Sequence, residues 1–254
     1  LMSAFNHRAL LHKNPDLLKD HVFLHHEIAE RLVTYLQENP NFAPKSVLEM
    51  GKIDQQLMTV FQEAYPNTHY SELNEGDDKA TADLIISNLY LQNSANIETT
   101  IQTMKNHLNP NGKIFLSTIA EGSFENCMMV DGPEFNEYPS IKRLGDYLHS
   151  QGFVDVIMHL EKITLQYNDL KALLKDIRVA GGRLQSPLMK GLRTKNWYQS
   201  WVNHMHQQAD DNGIYEITIE ILYGHAQMPP LHAAPLNDKN EAFFDLKKLR
   251  TQHL

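Results

Sequence analysis

Only ten residues, Leu73 to Ala82, separate an acidic strand end from the next apolar strand, and this limits the fold more than any other feature of the chain. On the near side, Val47-Leu48-Glu49-Met50 reads as a short buried strand. Leu57, Val60, Phe61 and Ala64 mark a helix that stops before Pro66, and Thr68-His69-Tyr70-Ser71 is a weak strand leading to Glu72. On the far side, Asp83-Leu84-Ile85-Ile86-Ser87-Asn88 is a core strand. A crossover between parallel strands takes about a dozen connecting residues or more. Ten cannot hold a helix, a further strand and a return. The second strand is therefore expected to run almost directly into the next core strand, with an edge strand omitted, since an edge strand can be lost without opening the core.

Elsewhere the chain alternates regularly. Leu17, Leu18, Val22, Leu24, Ile28, Leu32, Val33 and Leu36 recur at helical spacing over residues 16–38. A helix near Ile97–Leu108 ends at the turn Asn109-Pro110-Asn111-Gly112, and Lys113–Thr118 is a strand with both faces apolar. A helix at 140–151 closes at Gly152, followed by two strand-like segments, 153–159 and 163–166. Residues 169–208 read as polar helix. Ile217, Ile219, Ile221 and Tyr223 give the longest period-two strand signal, over 214–223. This order predicts an α/β fold with a doubly wound, mostly parallel sheet. The expected organisation is an N-terminal helical segment (1–40), a core (41–168), a helical cap (169–210), a final core strand (211–226) and a C-terminal extension (227–254).

Ligands of such sheets bind beyond the carboxyl ends of the strands, near the switch in strand order. That places Glu49, Gly51, Ser71, Glu72, Ser87 and Asn88 around one crevice. The net charge of -8 gives no general attraction to nucleic acid or anionic membrane. No run of about 18 apolar residues is present, so no membrane span is expected. With one cysteine, Cys127, there is no internal disulfide. The N-terminus lacks a signal-peptide core, so a cytoplasmic protein is expected. The leading Leu1 points to a native start that is missing or altered.

Three stretches carry a family resemblance: Val47-Leu48-Glu49-Met50-Gly51; Asp83 to Gln92 with the Leu108-Asn109-Pro110-Asn111-Gly112-Lys113 turn; and Glu220-Ile221-Leu222-Tyr223-Gly224-His225-Ala226. They resemble the class I S-adenosylmethionine-dependent methyltransferases, whose sheet is Rossmann-like. With Glu121-Gly122-Ser123-Phe124 and Leu173 to Arg178, they are similar to the malonyl-acyl carrier protein methyltransferases of biotin synthesis. They are similar also to the related mitochondrial complex I assembly factor that hydroxylates an arginine, whose opening Phe5-Asn6-His7-Arg8-Ala9-Leu10 resembles.

The resemblance implies S-adenosylmethionine as cofactor, held by Glu49, Gly51, Glu72, Ser87 and Asn88. Glu72, at Gly51 plus 21, would be the acid on the ribose hydroxyls. Tyr90 and Gln92 would shape the transfer site. A malonyl substrate would need a cation for its free carboxylate, for which Arg178 is the candidate, with Lys142, Arg143 and Arg183 as alternatives. Such an enzyme would take a small-molecule or acyl carrier protein substrate. Yet Ile53 and Gln55 stand where the family's further glycines would be, and a β-branched Ile53 suits no positive-φ site. The omitted strand would also remove the family's adenine-site acid, with Asp77 or Asp78 as weak substitutes. Two other readings therefore stay open: a non-catalytic member that binds a protein partner, and an arginine hydroxylase.

The remaining residues have plainer expectations. His21 and His25 share a helix face, but fourteen histidines make chance pairs common and no metal is expected. His204 and His206 are weaker still. His225 is expected as a hydrogen-bonded structural histidine, and Cys127 as a small buried apolar residue.

Overall fold

The computed structural model describes residues 21–39, 41–73, 80–94, 96–128, 137–181 and 195–230. In chain order the elements are α1 (Phe23–Gln37), β1 (Ser46–Glu49), α2 (Gln56–Ala64), β2 (His69–Glu72), β3 (Ala82–Ser87) and α3 (Ile97–Asn106). There follow β4 (Leu108–Ile119), α4 (Ile141–Ser150), β5 (Val154–Tyr167), α5 (Leu170–Val179), α6 (Lys195–Gln208) and β6 (Tyr215–Gln227). Among the described residues the strands form one six-stranded sheet in the order β2-β1-β3-β4-β6-β5. The first four run parallel, and β6 is antiparallel to both of its neighbours.

Both faces of the sheet are covered. Val47, Leu84, Ile86, Phe115 and Ile119 point to one side, where α1, α2, α5 and α6 supply Ile28, Leu32, Phe61, Leu173 and Trp201. Leu48, Ile85, Ile114 and Leu116 point to the other, against Ile101 and Met104 of α3 and Leu144 and Leu148 of α4. This explains why the central strands read as unbroken apolar runs. Local side chains start three helices: Asn96, Ser140 and Asp169 accept hydrogen bonds from backbone N–H groups of the first turns of α3, α4 and α5. No helix among the described residues is long and apolar enough to cross a membrane.

β2 ends at Glu72 and β3 begins at Ala82, and among the described residues β2 is a four-residue edge strand paired with β1 alone. The strand order switches between β1 and β3, so Glu49 and Ser87 end neighbouring strands at the switch.

Two sequence expectations need correction. The Asn109–Gly112 turn does not precede the strand but lies inside it. β4 starts at Leu108, opposite Ala82, and resumes with Lys113 opposite Leu84. Asn111 at φ +62° lets the extra residues bulge out of the ladder. Likewise, segments 153–159 and 163–166 are one continuous strand, β5. Its central charges meet partners: Lys162 Nζ lies 2.8 Å from Glu220 Oε1, and Glu161 accepts from Arg31 and from Tyr223 Oη. The first part of helix 16–38, the Phe5–Leu10 segment, Asp77, Asp78, Gly182, Arg183, Lys190, Arg193 and residues 231–254 lie outside the described residues.

Candidate functional site

The crevice at the β1–β3 switch is built around Glu49 and Gly51. Glu49 ends β1 and is buried, and Tyr70 Oη on β2 donates to its Oε2 at 2.8 Å. Burial pushes the Glu49 carboxyl up to about 7. The Tyr70 hydrogen bond and Lys52 oppose the rise, while the nearby charges of Glu72 and Asp54 add to it. Three carboxylates therefore share this end of the sheet, and one of them is poised near neutrality.

Asp54 sits at the start of α2. Its Oδ1 accepts from Gln56 N at 2.9 Å, and its Oδ2 lies 2.6 Å from His26 Nε2. The helix N-terminus thus already carries an anion. Gly51 adopts φ +81°, which explains why a glycine stands there. The space over it is filled: a Cβ on Gly51 would lie 2.3 Å from Cγ and Cδ2 of Tyr90 and 2.7 Å from its Cβ. The tyrosine from the turn after β3 rests directly on the glycine backbone.

The other residues expected at the site divide into two groups. Ser87 is wholly buried, and its Oγ has no hydrogen-bond partner among the described residues. Asn88 and Gln92 instead hold the scaffold. Asn88 Nδ2 donates to the His25 carbonyl at 2.7 Å, and its Oδ1 accepts from Ser117 Oγ at 3.1 Å. Gln92 Nε2 donates to the carbonyls of Leu89 and Ala180, and its Oε1 accepts from Thr118 Oγ1. These bonds tie the post-β3 turn to α1, β4 and the end of α5. Glu72 and Tyr90 are half-buried. Arg178 is exposed in the last turn of α5, two residues before the carbonyl that Gln92 meets.

Tyr70 and Asp54 were not singled out in the sequence. Tyr70 is one aromatic residue in a weak strand, and only the register Val47↔Tyr70 and Glu49↔Glu72 brings its hydroxyl to Glu49. Asp54 stands two residues before a helix, an N-terminal signal that could have marked it.

Several plainer expectations can be placed. His21 Nδ1 lies 2.5 Å from Asp176 Oδ1, and no cluster of three potential metal ligands occurs among the described residues. Cys127 is buried and its thiol is pushed up to about 12 by that burial. His225 departs from expectation: it packs on Phe115 and has no hydrogen-bond partner among the described residues. Burial, and then Lys113, lower its pKa to about 4.

Comparison with known proteins places this geometry. The family described as "Methyltransferase domain" matches residues 21–157, from α1 into β5. The chain belongs to the methyltransferase domain family. Relatives of this methyltransferase-family chain include malonyl-[acyl-carrier protein] O-methyltransferase 1 of Coxiella burnetii, 28% identical over 150 residues, which are 58% of this chain and 53% of the relative. The malonyl-[acyl-carrier protein] O-methyltransferase of Nitrosospira multiformis is 27% identical over 158 residues, 60% of this chain and 51% of the relative. The chain spans about half the length of these curated relatives. The YcgJ protein of Bacillus subtilis superposes with a TM-score of 0.50 over 78% of this chain and 98% of its own, at 8% identity, a likeness of fold.

Proposed function

We propose that this methyltransferase-family chain binds S-adenosylmethionine in the crevice between Glu49, Gly51 and Glu72 and methylates a carboxylate, with an acyl group on an acyl carrier protein as the substrate class. One observation carries the proposal: the carboxylates of Glu49, Asp54 and Glu72 converge beside a positive-φ glycine, and each of the other two raises the pKa of Glu49. The cofactor is cationic through its sulfonium and ammonium groups, so a crevice of clustered carboxylates matches it in charge. Moving the Tyr90 ring off Gly51 would open room for the cofactor beside that backbone.

When bound, S-adenosylmethionine supplies a methyl group on positive sulfur that passes to a carboxylate oxygen as the sulfur departs as a thioether. The nucleophile is already ionised at neutral pH, since an ordinary carboxyl titrates near about 4. No general base is required, and the residues act by holding and orienting. Glu72, at the end of β2, would hold the ribose hydroxyls. Glu49 and Asp54 would face the positive charge. Gly51 would let the backbone approach. Arg178, at the end of α5, would meet an anionic acyl substrate. The closeness to malonyl-[acyl-carrier protein] O-methyltransferases supports the substrate class. A reducing cytoplasm suits the single buried thiol.

Calorimetric titration with S-adenosylhomocysteine and S-adenosylmethionine tests the proposal. Saturable binding is expected. At pH 7, S-adenosylmethionine binding should release protons as the cation draws Glu49 into its charged form, which titration in buffers of different ionisation enthalpy would reveal. Transfer is read as the mass of one methyl group added to malonyl-acyl carrier protein. No heat and no thermal shift at millimolar ligand would overturn the proposal and leave the chain as a partner-binding scaffold.

A further inference from the structure

A cavity of about 480 Å³ opens toward the other end of the sheet. Its walls come from the last turn of α1, the following loop, β4, β5 and the end of β6. Lys113 on β4 pairs with Leu84 early in β3, whereas Glu49 and Ser87 close their strands, so the cavity and the glycine crevice share no residue. Nothing in the proposed methyl transfer uses it.

Lys113 is the unusual member of its lining. A lysine is seldom buried without an acid beside it. Lys113 is 9% exposed, yet no carboxylate pairs with it among the described residues. Its Nζ lies 4.5 Å from the centroid of the Phe42 ring, a cation–π contact that satisfies part of the charge. The acid felt most nearby is exposed Asp155, which acts only at a distance. Glu38 stands exposed at the rim. Desolvation lowers the lysine pKa from its ordinary value, a sign that the ammonium lacks a full set of partners. Aromatic rings supply much of the remaining lining, beside Leu36, Asn39, Ile157 and Gly224. Tyr35 meets Tyr223 edge-on at 5.1 Å and His159 at 5.5 Å, and Phe115 packs on His225 at 5.6 Å. Neutral His225 offers a ring nitrogen free to donate or accept.

We propose that this cavity binds a small aromatic monocarboxylate, its carboxylate on the Lys113 ammonium and its ring among Phe42, Phe115 and Tyr223. The volume lies at the small end of the range for ligand pockets, about 300–1,000 Å³. A single ammonium suits a single negative charge. A phosphate would want a second cation or an Arg fork, and the lining has neither. Ring walls favour a flat ligand over a flexible chain, because aromatic pairs gain beyond their buried area.

Calorimetry with benzoate, cinnamate and indole-3-acetate on the full chain at pH 7 tests this, each paired with its uncharged amide. At least one carboxylate should bind saturably, and its amide about 10-fold or more weaker, the loss of a charge-assisted hydrogen bond. Lys113→Met should weaken the carboxylate by about 10- to 100-fold and leave the amide unchanged. Cavity-filling Ile157→Trp, at a position paired with His225 on the cavity's side of the sheet, should weaken binding of both. The comparison of acid with amide needs no variant, so it stands even if a substituted chain misfolds. Equal affinity for acid and amide, undiminished carboxylate binding to Lys113→Met, or no carboxylate binding at millimolar concentration would each overturn the proposal.

Discussion

The contact between Tyr90 and Gly51 can be tested through a double substitution. Gly51→Ala adds a Cβ at 2.3 Å from the Tyr90 ring carbons and places a side chain at φ +81°. The left-handed backbone costs an L-residue about 1–2 kcal/mol. Forcing an extra carbon into an occupied space costs about 1–3 kcal/mol more. The substitution should therefore lower stability by about 2–5 kcal/mol. Tyr90→Ala removes the obstacle but leaves the dihedral unchanged. In that background Gly51→Ala should cost only the backbone share, about 1–2 kcal/mol, giving a coupling of about 1–3 kcal/mol between the two positions. Urea denaturation of the four chains, followed by tryptophan fluorescence, measures each value. If Gly51→Ala costs the same with and without the tyrosine ring, the ring does not rest on the glycine. The steric account of the crevice then fails.

Other perturbations follow from single residues. The folded pKa of Glu49, about 7, lies above its ordinary value of 4.5, so its contribution to stability is present below about 4.5 and lost as pH rises through 7. Glu49→Gln should flatten that loss, by up to about 3 kcal/mol above pH 7, as read by denaturation midpoints across pH; an unchanged pH profile would count against the buried-acid assignment. Conversely, His225 is held at about 4 against 6.5 when unfolded, so its neutral burial adds stability above 6.5 that disappears as pH falls through 4. His225→Phe should reduce acid sensitivity in thermal melts. With its thiol at about 12 and its side chain buried, Cys127 should react with an aromatic disulfide only as fast as the chain opens, and rapid labelling of the native protein would contradict this. Trp201→Phe removes the bond from its indole Nε1 to the Cys127 carbonyl at 3.0 Å and should cost about 1–2 kcal/mol, measured by denaturant titration.

Much of the frame was legible because local chemistry wrote it. The period-two and continuous apolar runs named β1, β3, β4 and β6, and Asn96, Ser140 and Asp169 marked helix starts through their own side chains. That Glu49, Glu72 and Ser87 end neighbouring strands followed from topology.

What tertiary structure decided depends on register and on contacts between distant segments. β5 reads as two pieces because its central Glu161 and Lys162 look like a break, and only pairing with β6 and Arg31 makes them fit a continuous strand. Asn88 and Gln92, read as ligand-facing, turn out to hold α1 and the end of α5 to the sheet. Tyr70 reaches Glu49, Tyr90 covers Gly51, and Lys113 is buried over Phe42 through neighbours 21, 39 and 71 positions away. A sequence specifies which residues are apolar, charged or conformationally free. Which of them meet, and how strongly a neighbour then shifts a charge or closes a space, exists only once the strands are paired.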